Sequence, residues 1–178
     1  MALEVGDVAR ERSRPVWSDF ESMASDRLAD SVRLATAIVG PDDAPDVVQD
    51  ALLEAWRHIS RLRDPAAFDP WLRSIVINRC RNVLRTRDRR VRTIDLAAGT
   101  LARDDIHGSG FRPEQRDRLD RAFHRLSTDH RAVLVLRYTL DLQVRDIALT
   151  LDVPEGTVKS RLNAAITRLR SAVGEEST

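Results

Sequence analysis

Apolar residues recur at helical spacing over the first part of the chain. Phe20 is followed by apolar residues three to five positions apart as far as Gly40, which places them on one face of an α-helix. Ser18 and Glu21 have the spacing of a capping box, a common start signal for a helix. The pattern predicts a first helix that ends at Gly40-Pro41. Residues 1 to 16 lack an apolar face and are predicted to form a mobile leader.

Two further helices are predicted before residue 92. The segment from Asp42 to Pro45 offers capping carboxylates and a proline suited to a first turn. The apolar stripe after it consists of Val47, Val48, Ala51, Leu52, Ala55, Trp56 and Ile59. Asp69-Pro70 then opens a longer helix. Its apolar residues are Trp71, Leu72, Ile75, Val76, Cys80, Val83 and Leu84.

Helical periodicity stops between Val91 and Arg112 and resumes at Pro113. Glycines and mixed charges in the gap are typical of a linker. We therefore predict an all-α protein of two small helical domains joined by a flexible linker. The predicted divisions are a leader at 1–16, an N-terminal domain at 17–92, the linker at 93–112, a C-terminal domain at 113–173 and a tail at 174–178.

The most specific local pattern lies between Val144 and Ile166. A short helix from Val144 to Leu151 is followed by a turn and a second helix, at the spacing of a helix-turn-helix motif. The polar side chains of the second helix suit the edges and phosphates of a DNA major groove. These are Thr157, Lys159, Ser160, Arg161 and Asn163. An ordinary helical hairpin with a solvated polar face is the alternative interpretation.

Charges are segregated along the chain although the formal net charge is only +1. Acidic residues without any Lys or Arg occupy the stretch Asp42, Asp43, Asp46, Asp50 and Glu54. Arginines crowd a later stretch at Arg79, Arg81, Arg85, Arg87, Arg89, Arg90 and Arg92. One surface therefore suits a cationic protein and the other suits phosphates. A solvated face and a solvated helix end remain the alternatives.

The sequence predicts no active site, metal site or cofactor. The acidic residues lie on successive helix turns without a partnering histidine, and the four histidines lack metal-ligand or triad spacing. Cys80 is the only cysteine, so no internal disulfide can form and a reducing cytoplasm is expected. Trp56, Phe68 and Trp71 could stack on bases, but both tryptophans are assigned mainly to the core.

Signals for export or membrane insertion are also missing from the sequence. The N-terminus carries acidic residues and has no apolar run, and no stretch has enough consecutive apolar residues to cross a bilayer. We therefore expect a cytoplasmic protein that is not inserted in a membrane.

The N-terminal half resembles the corresponding part of extracytoplasmic-function sigma factors, which belong to the sigma-70 superfamily. Residues 43–51, Asp-Ala-Pro-Asp-Val-Val-Gln-Asp-Ala, resemble the acidic polymerase-binding segment of that family. Residues 68–72, Phe-Asp-Pro-Trp-Leu, together with Ile75 and Asn78, resemble its melting and −10 recognition helix.

The C-terminal half continues the resemblance in the same order, so that it covers residues 22–173. Residues 126–138 resemble the first C-terminal segment of the family, and residues 156–162, Gly-Thr-Val-Lys-Ser-Arg-Leu, are similar to its −35 recognition helix. Two departures are Ser127, where the family often has proline, and Pro154, where a serine cap is usual. They affect the expected promoter sequence rather than the family.

The resemblance implies a subunit that binds core RNA polymerase and directs promoter-specific transcription initiation, without catalysis of its own or a small-molecule substrate. Its polymerase-binding residues would be Asp46, Gln49 and Asp50. Its −10 contacts would be Phe68, Asn78, Arg81 and Asn82, and its −35 contacts would be Thr157, Lys159, Ser160, Arg161 and Asn163. The implied partners are core RNA polymerase, promoter DNA and an anti-sigma factor.

Two other functions remain open on sequence grounds. A conventional helix-turn-helix regulator would explain the C-terminal motif, but it would need a palindromic site and a stable homodimer. A small helical enzyme acting on nucleic acid would need carboxylates or histidines that converge on a metal or nucleophile. The acidic helix followed by an arginine-rich one favours the sigma-factor interpretation over both.

Overall fold

The structure, a computed structural model, describes residues 17–94 and 113–175, and this part of the chain contains helices and turns without a strand. Its α-helices are α1 (Trp17–Val39), α2 (Ala44–His58), α3 (Phe68–Ile94), α4 (Pro113–His124), α5 (Thr128–Leu134), α6 (Val144–Leu151) and α7 (Glu155–Glu175). The prediction of an all-α protein is confirmed. The predicted leader and nearly all of the predicted linker lie outside the described residues.

The N-terminal half is a bundle in which α1, α2 and α3 all pack against one another. Gly40 allows the sharp turn between α1 and α2 because its φ is +95°, a value that side chains disfavour. Between α2 and α3, the Asp64 carboxylate accepts a hydrogen bond from the Ala66 N–H at 2.9 Å and caps a short 3-10 turn, Pro65–Ala67. These local signals give the bundle its tight connections.

The C-terminal half is built around the long helix α7, which packs against α4, α5 and α6. Ser127 caps α5 by accepting a hydrogen bond from the His130 N–H at 3.4 Å. A π-helical turn, Val135–Thr139, extends α5. Asp152 ends α6 in the left-handed conformation, with φ at +52°, and thereby makes the sharp turn into α7.

The two halves share one hydrophobic core. Helix α3 packs against α6, and α1 packs against α5 and the π-helical turn. The buried guanidinium of Arg131 on α5 crosses between the halves, donating to the Ile38 carbonyl of α1 at 2.7 Å and to the Leu126 carbonyl at 3.1 Å. The two helical domains therefore form a single packed body in this structure.

Two features are absent from the described part of the chain. None of its helices combines the length and apolar character needed to cross a membrane. Within residues 17–94 and 113–175, no group of three or more histidine, cysteine or acidic side chains is arranged to hold a metal ion.

Candidate protein and nucleic-acid interfaces

Helix α2 separates an acidic face from a buried one. Asp46, Gln49 and Asp50 are all exposed, whereas Val47 and Val48 are buried against the rest of the bundle. The helical period produces this separation, because residues three or four positions apart share a face. The three predicted polymerase-binding side chains are therefore presented together to the solvent.

Arginines of α3 partly neutralise the carboxylates at the edge of this face. Arg79 lies 2.8 Å from Glu54 and 3.9 Å from Asp50, and Arg87 lies 2.6 Å from Asp43. A cleft of about 350 Å³ lies between α2 and α3, and its lining includes Asp43, Asp50, Arg79 and Arg87. The side chains of the two close pairs are about one third to one half exposed, so solvent screening limits their contribution to stability.

The exposed side of α2 also carries apolar surface. Leu53 and Trp56 are 38% and 37% exposed. The assignment of Trp56 mainly to the core is therefore corrected: the residue is more than one third exposed, because it falls at the edge of the apolar stripe. Trp71 is half-buried and packs against the core.

Helix α3 carries the predicted −10 residues on the side that faces the C-terminal half. Asn78 and Asn82 are exposed, and Arg81 donates from Nη1 to the Asn78 side-chain oxygen at 2.6 Å. A cleft of about 530 Å³ lies here. Its lining residues are Asn78, Arg81, Asn82 and Arg85 of α3 with Ser127, Thr128 and Asp129 at the start of α5. The C-terminal half thus forms one wall of the cleft that holds these side chains.

Phe68 does not belong to this surface. Its side chain is only 2% exposed and meets Phe20 edge to face, with ring centroids 6.1 Å apart. In this position the ring cannot stack on a base, so the predicted −10 contact at Phe68 is corrected to a core position. The physical reason is that Phe68 starts α3 on the same face as the buried residue Leu72, one turn later.

Helices α6 and α7 have the helix-turn-helix arrangement expected from the sequence. Ile147 and Val158 are fully buried between them, and Leu162 is nearly so. On the opposite side of α7, Lys159, Ser160 and Asn163 are exposed. The arrangement presents polar side chains from the first turns of a helix, as required for contact with a major groove.

The other two predicted −35 residues, Thr157 and Arg161, are partly buried. The Thr157 carbonyl accepts a hydrogen bond from the Ser160 hydroxyl at 2.9 Å. Arg161 lies 3.2 Å from an Asp129 carboxylate oxygen. Arg161 is therefore engaged within the chain, whereas Lys159, Ser160 and Asn163 face the solvent.

Asp129 was not among the residues predicted from the sequence, although it joins the two predicted DNA surfaces. Its carboxylate contacts Arg81 of α3 at 2.9 Å and Arg161 of α7 at 3.2 Å. The sequence signal available was an acidic residue in the first turn of a helix, after the capping residue Ser127. Such residues are common because the helix dipole favours them, so the signal could not single out Asp129.

Burial shifts the pKa of two titratable groups near these surfaces. Partial burial, followed by the charge of Arg168, lowers the pKa of His130, whose Nδ1 lies 2.6 Å from an Arg168 nitrogen. Burial raises the pKa of the Cys80 thiol to about 12. Cys80 is therefore held as a neutral thiol in the core, which disfavours a nucleophilic role.

Comparison with known proteins assigns both halves of the chain to one family. The model for sigma-70 region 2 matches residues 26–90, and the model for sigma-70 region 4 matches residues 116–169. The extracytoplasmic-function RNA polymerase sigma-E factor of Haemophilus influenzae is 34% identical over 140 residues, which cover 72% of this chain and 74% of the relative. The corresponding sigma-E factor of Escherichia coli K12 is 31% identical over 141 residues, which cover 72% of this chain and 73% of that relative.

Solved structures agree with the sequence matches. The sigma factor RpoE of Bartonella quintana, in complex with the anti-sigma factor NepR, has a TM-score of 0.70 and 25% identity, with 88% of this chain and 98% of that chain covered. CnrH, in complex with the cytosolic domain of CnrY, has a TM-score of 0.65 and 20% identity, with 94% of this chain and 96% of that chain covered. The second likeness supports the fold alone.

Proposed function

This chain belongs to the extracytoplasmic-function sigma factors of the sigma-70 superfamily, and on that premise we propose which of its surfaces carries each step of promoter recognition. The chain binds core RNA polymerase and promoter DNA and directs promoter-specific transcription initiation. Its family consists of non-catalytic initiation factors.

The acidic face of α2 is the polymerase-binding surface. Asp46, Gln49 and Asp50 are exposed on one side of a helix whose other side is anchored in the core. The two carboxylates suit a basic partner surface. Leu53 on the same exposed side adds apolar area that a protein partner would bury. Charge complementarity then guides the encounter, while apolar burial holds the complex.

The polar face of α3 captures the opened −10 strand. Asn78 and Asn82 present amides that can hydrogen-bond to the edges of unstacked bases, and Arg81 supplies positive charge for the backbone. These interactions replace the duplex stacking that opening removes, so binding energy favours the melted state. Phe68 is excluded from this set because its ring is buried.

The −35 element is contacted by the second helix of the helix-turn-helix. The observation that carries this assignment is the exposure of Lys159, Ser160 and Asn163 on α7 while Val158 and Leu162 are buried against the rest of the domain. Lys can donate to guanine or phosphate, and Asn can pair with adenine. Thr157 and Arg161, which are partly buried, complete the surface.

The remaining assignments follow from the same premise. We divide the chain into an N-terminal domain at 17–92 and a C-terminal domain at 113–173, joined by a linker at 93–112. Because RpoE was solved with an anti-sigma factor, an anti-sigma factor is the regulatory partner proposed for this chain. Its work on chromosomal promoters places it in the cytoplasm.

Reconstitution with core polymerase tests the proposed function. The purified chain is mixed with core enzyme and a library of promoter fragments, and the bound fragments are sequenced. A selected fragment is then tested by run-off transcription and by permanganate footprinting. We expect co-elution with core enzyme, selection of a bipartite −35 and −10 sequence, and reactive thymines near the start site. Selection of a palindromic site by the chain without core enzyme would instead support a conventional helix-turn-helix regulator.

A further inference from the structure

One carboxylate holds an arginine from each of the two proposed DNA surfaces. Asp129 Oδ1 lies 2.9 Å from Arg81 Nη2 and accepts a hydrogen bond from Arg81 Nε at 3.1 Å. Its other oxygen lies 3.2 Å from Arg161 Nη2. The side chains of Asp129, Arg81 and Arg161 are 39%, 24% and 26% exposed, so all three are partly withdrawn from solvent.

The same ion pairs bring α3 and α7 together through the start of α5. Arg81 belongs to the N-terminal half, whereas Asp129 and Arg161 belong to the C-terminal half. The hydrogen bond from Arg131 to the Ile38 carbonyl at 2.7 Å and the packing of α3 against α6 support the same closed arrangement. The arrangement therefore has an apolar part and an ionic part.

Promoter geometry is incompatible with this closed arrangement. The −35 and −10 elements are centred about 25 base pairs apart, which corresponds to about 85 Å of B-form duplex at 3.4 Å per base pair. In the closed chain, Arg81 and Arg161 contact the same carboxylate. One molecule cannot contact both elements until the two halves separate.

We propose that Asp129 is an autoinhibitory latch that keeps the free chain closed by pairing with one arginine of each promoter surface. The inference rests on the proposed roles of Arg81 and Arg161 in DNA binding. In the closed form, the Asp129 carboxylate occupies both arginines in place of DNA phosphates, and the start of α5 forms one wall of the cleft beside the exposed Asn78 and Asn82. Separation of the halves on core polymerase then releases Arg81, so promoter binding is coupled to holoenzyme assembly.

Asp129→Asn is the direct test, with Asp141→Asn as its matched control. Both variants remove one negative charge from the C-terminal half. Asp141, however, is almost fully exposed, and its ion pair with Arg137 is long, at 4.0 Å. Affinity of the free, full-length chain for a fluorescent single-stranded −10 oligonucleotide is measured by anisotropy. We expect roughly two- to fivefold tighter binding for Asp129→Asn, as for loss of one or two partly exposed ion pairs, and no change for Asp141→Asn. Equal effects of the two variants would overturn the latch.

The same binding assay in holoenzyme distinguishes a latch from simple repulsion between the Asp129 charge and DNA. After assembly with core polymerase, Asp129 lies far from Arg81, so Asp129→Asn should bind the −10 strand as the wild-type chain does. An equal gain in the free chain and in holoenzyme contradicts the proposal. If wild-type holoenzyme does not bind the −10 strand, the proposed role of α3 fails, and this outcome is distinct from failure of the latch.

Solution scattering tests closure without DNA. The radius of gyration of the free wild-type chain should rise between about 50 mM and 500 mM salt, because screening weakens the ion pairs. Asp129→Asn should start from the larger value, and Asp129→Glu, which keeps the charge, should behave more like the wild-type chain. Circular dichroism checks that each variant folds. A radius that is the same for all variants at every salt concentration would also overturn the latch, whatever the DNA result.

Discussion

At the scale of single residues, the exposed side chains of α7 should determine which −35 sequence is selected. Lys159→Ala with Asn163→Ala should weaken binding of the preferred −35 element by about 1 to 3 kcal/mol for each base that these side chains recognise. Binding to core polymerase should persist, because neither residue lies on α2. Competition between the preferred duplex and a scrambled one measures the effect in holoenzyme. An unchanged preference would remove both residues from the −35 surface.

For Phe68 we expect substitutions to affect stability rather than DNA recognition, because its ring is buried against Phe20. Phe68→Ala should reduce the free energy of unfolding by about 3 to 5 kcal/mol, the range for removal of a large buried side chain. Phe68→Leu keeps most of the volume and should cost less. Urea unfolding measures both changes.

Promoter opening by Phe68→Leu holoenzyme separates the two roles of this position. Per folded molecule, we expect opening as in the wild-type protein, since the ring is not available to a base. A stable Phe68→Leu variant that fails to open promoters would indicate that Phe68 does contact the −10 strand.

At the scale of elements, the acidic face of α2 should be separable from its buried face. Asp46→Lys with Asp50→Lys should abolish co-elution with core polymerase, because both residues are exposed on the same helix face. Helical content should remain, since reversals of exposed charges rarely cost much stability. Size-exclusion chromatography and circular dichroism test the two expectations. Normal assembly with core enzyme would contradict the assigned surface.

The start of α5 should make stability depend on pH. Burial and Arg168 lower the pKa of His130 below its usual value near 6.5, so the unfolded chain takes up a proton before the folded chain does. Protonation of His130 therefore leaves the free energy of unfolding unchanged well above about pH 6.5 and lowers it as pH falls through the unfolded-state pKa. His130→Gln should show a smaller loss of unfolding free energy between about pH 7.5 and 5.5, measured with urea. An identical loss would show that His130 does not contribute.

Some helix boundaries were predictable, although Ser18 of the predicted capping box lies inside α1, which begins at Trp17. Asp43-Ala44-Pro45 and Gly40 are strong start and stop signals, and the structure starts α2 at Ala44 and ends α1 at Val39. On α7 the helical period separated the exposed Lys159 from the buried Val158, but it did not show that Thr157 and Arg161 are partly buried. Burial at a helix edge was less predictable, since Phe68 and Trp56 lie where the apolar stripe meets another element. Neighbouring helices decide which of those rings is covered.

At the scale of the whole molecule, the shared core predicts that the halves stay together without a covalent link. A specific protease site inserted between residues 100 and 105 allows the chain to be cut there after folding. At low salt the two fragments should co-elute, held by α3 against α6 and by Arg131. The uncut chain with the same insertion is the control. Separate elution of the folded fragments would show that the linker, rather than the interface, maintains closure.

The sequence by itself determined the helices, their order, the acidic and polar faces and, through its motifs, the family. These features are local: apolar period, capping residues and charge placement act over a few helix turns. Only the tertiary structure brought Asp129 onto both Arg81 and Arg161, placed Arg131 on the Ile38 carbonyl and buried Phe68. Such interactions join residues far apart in the chain, and they depend on how completed helices pack, which no short-range pattern specifies.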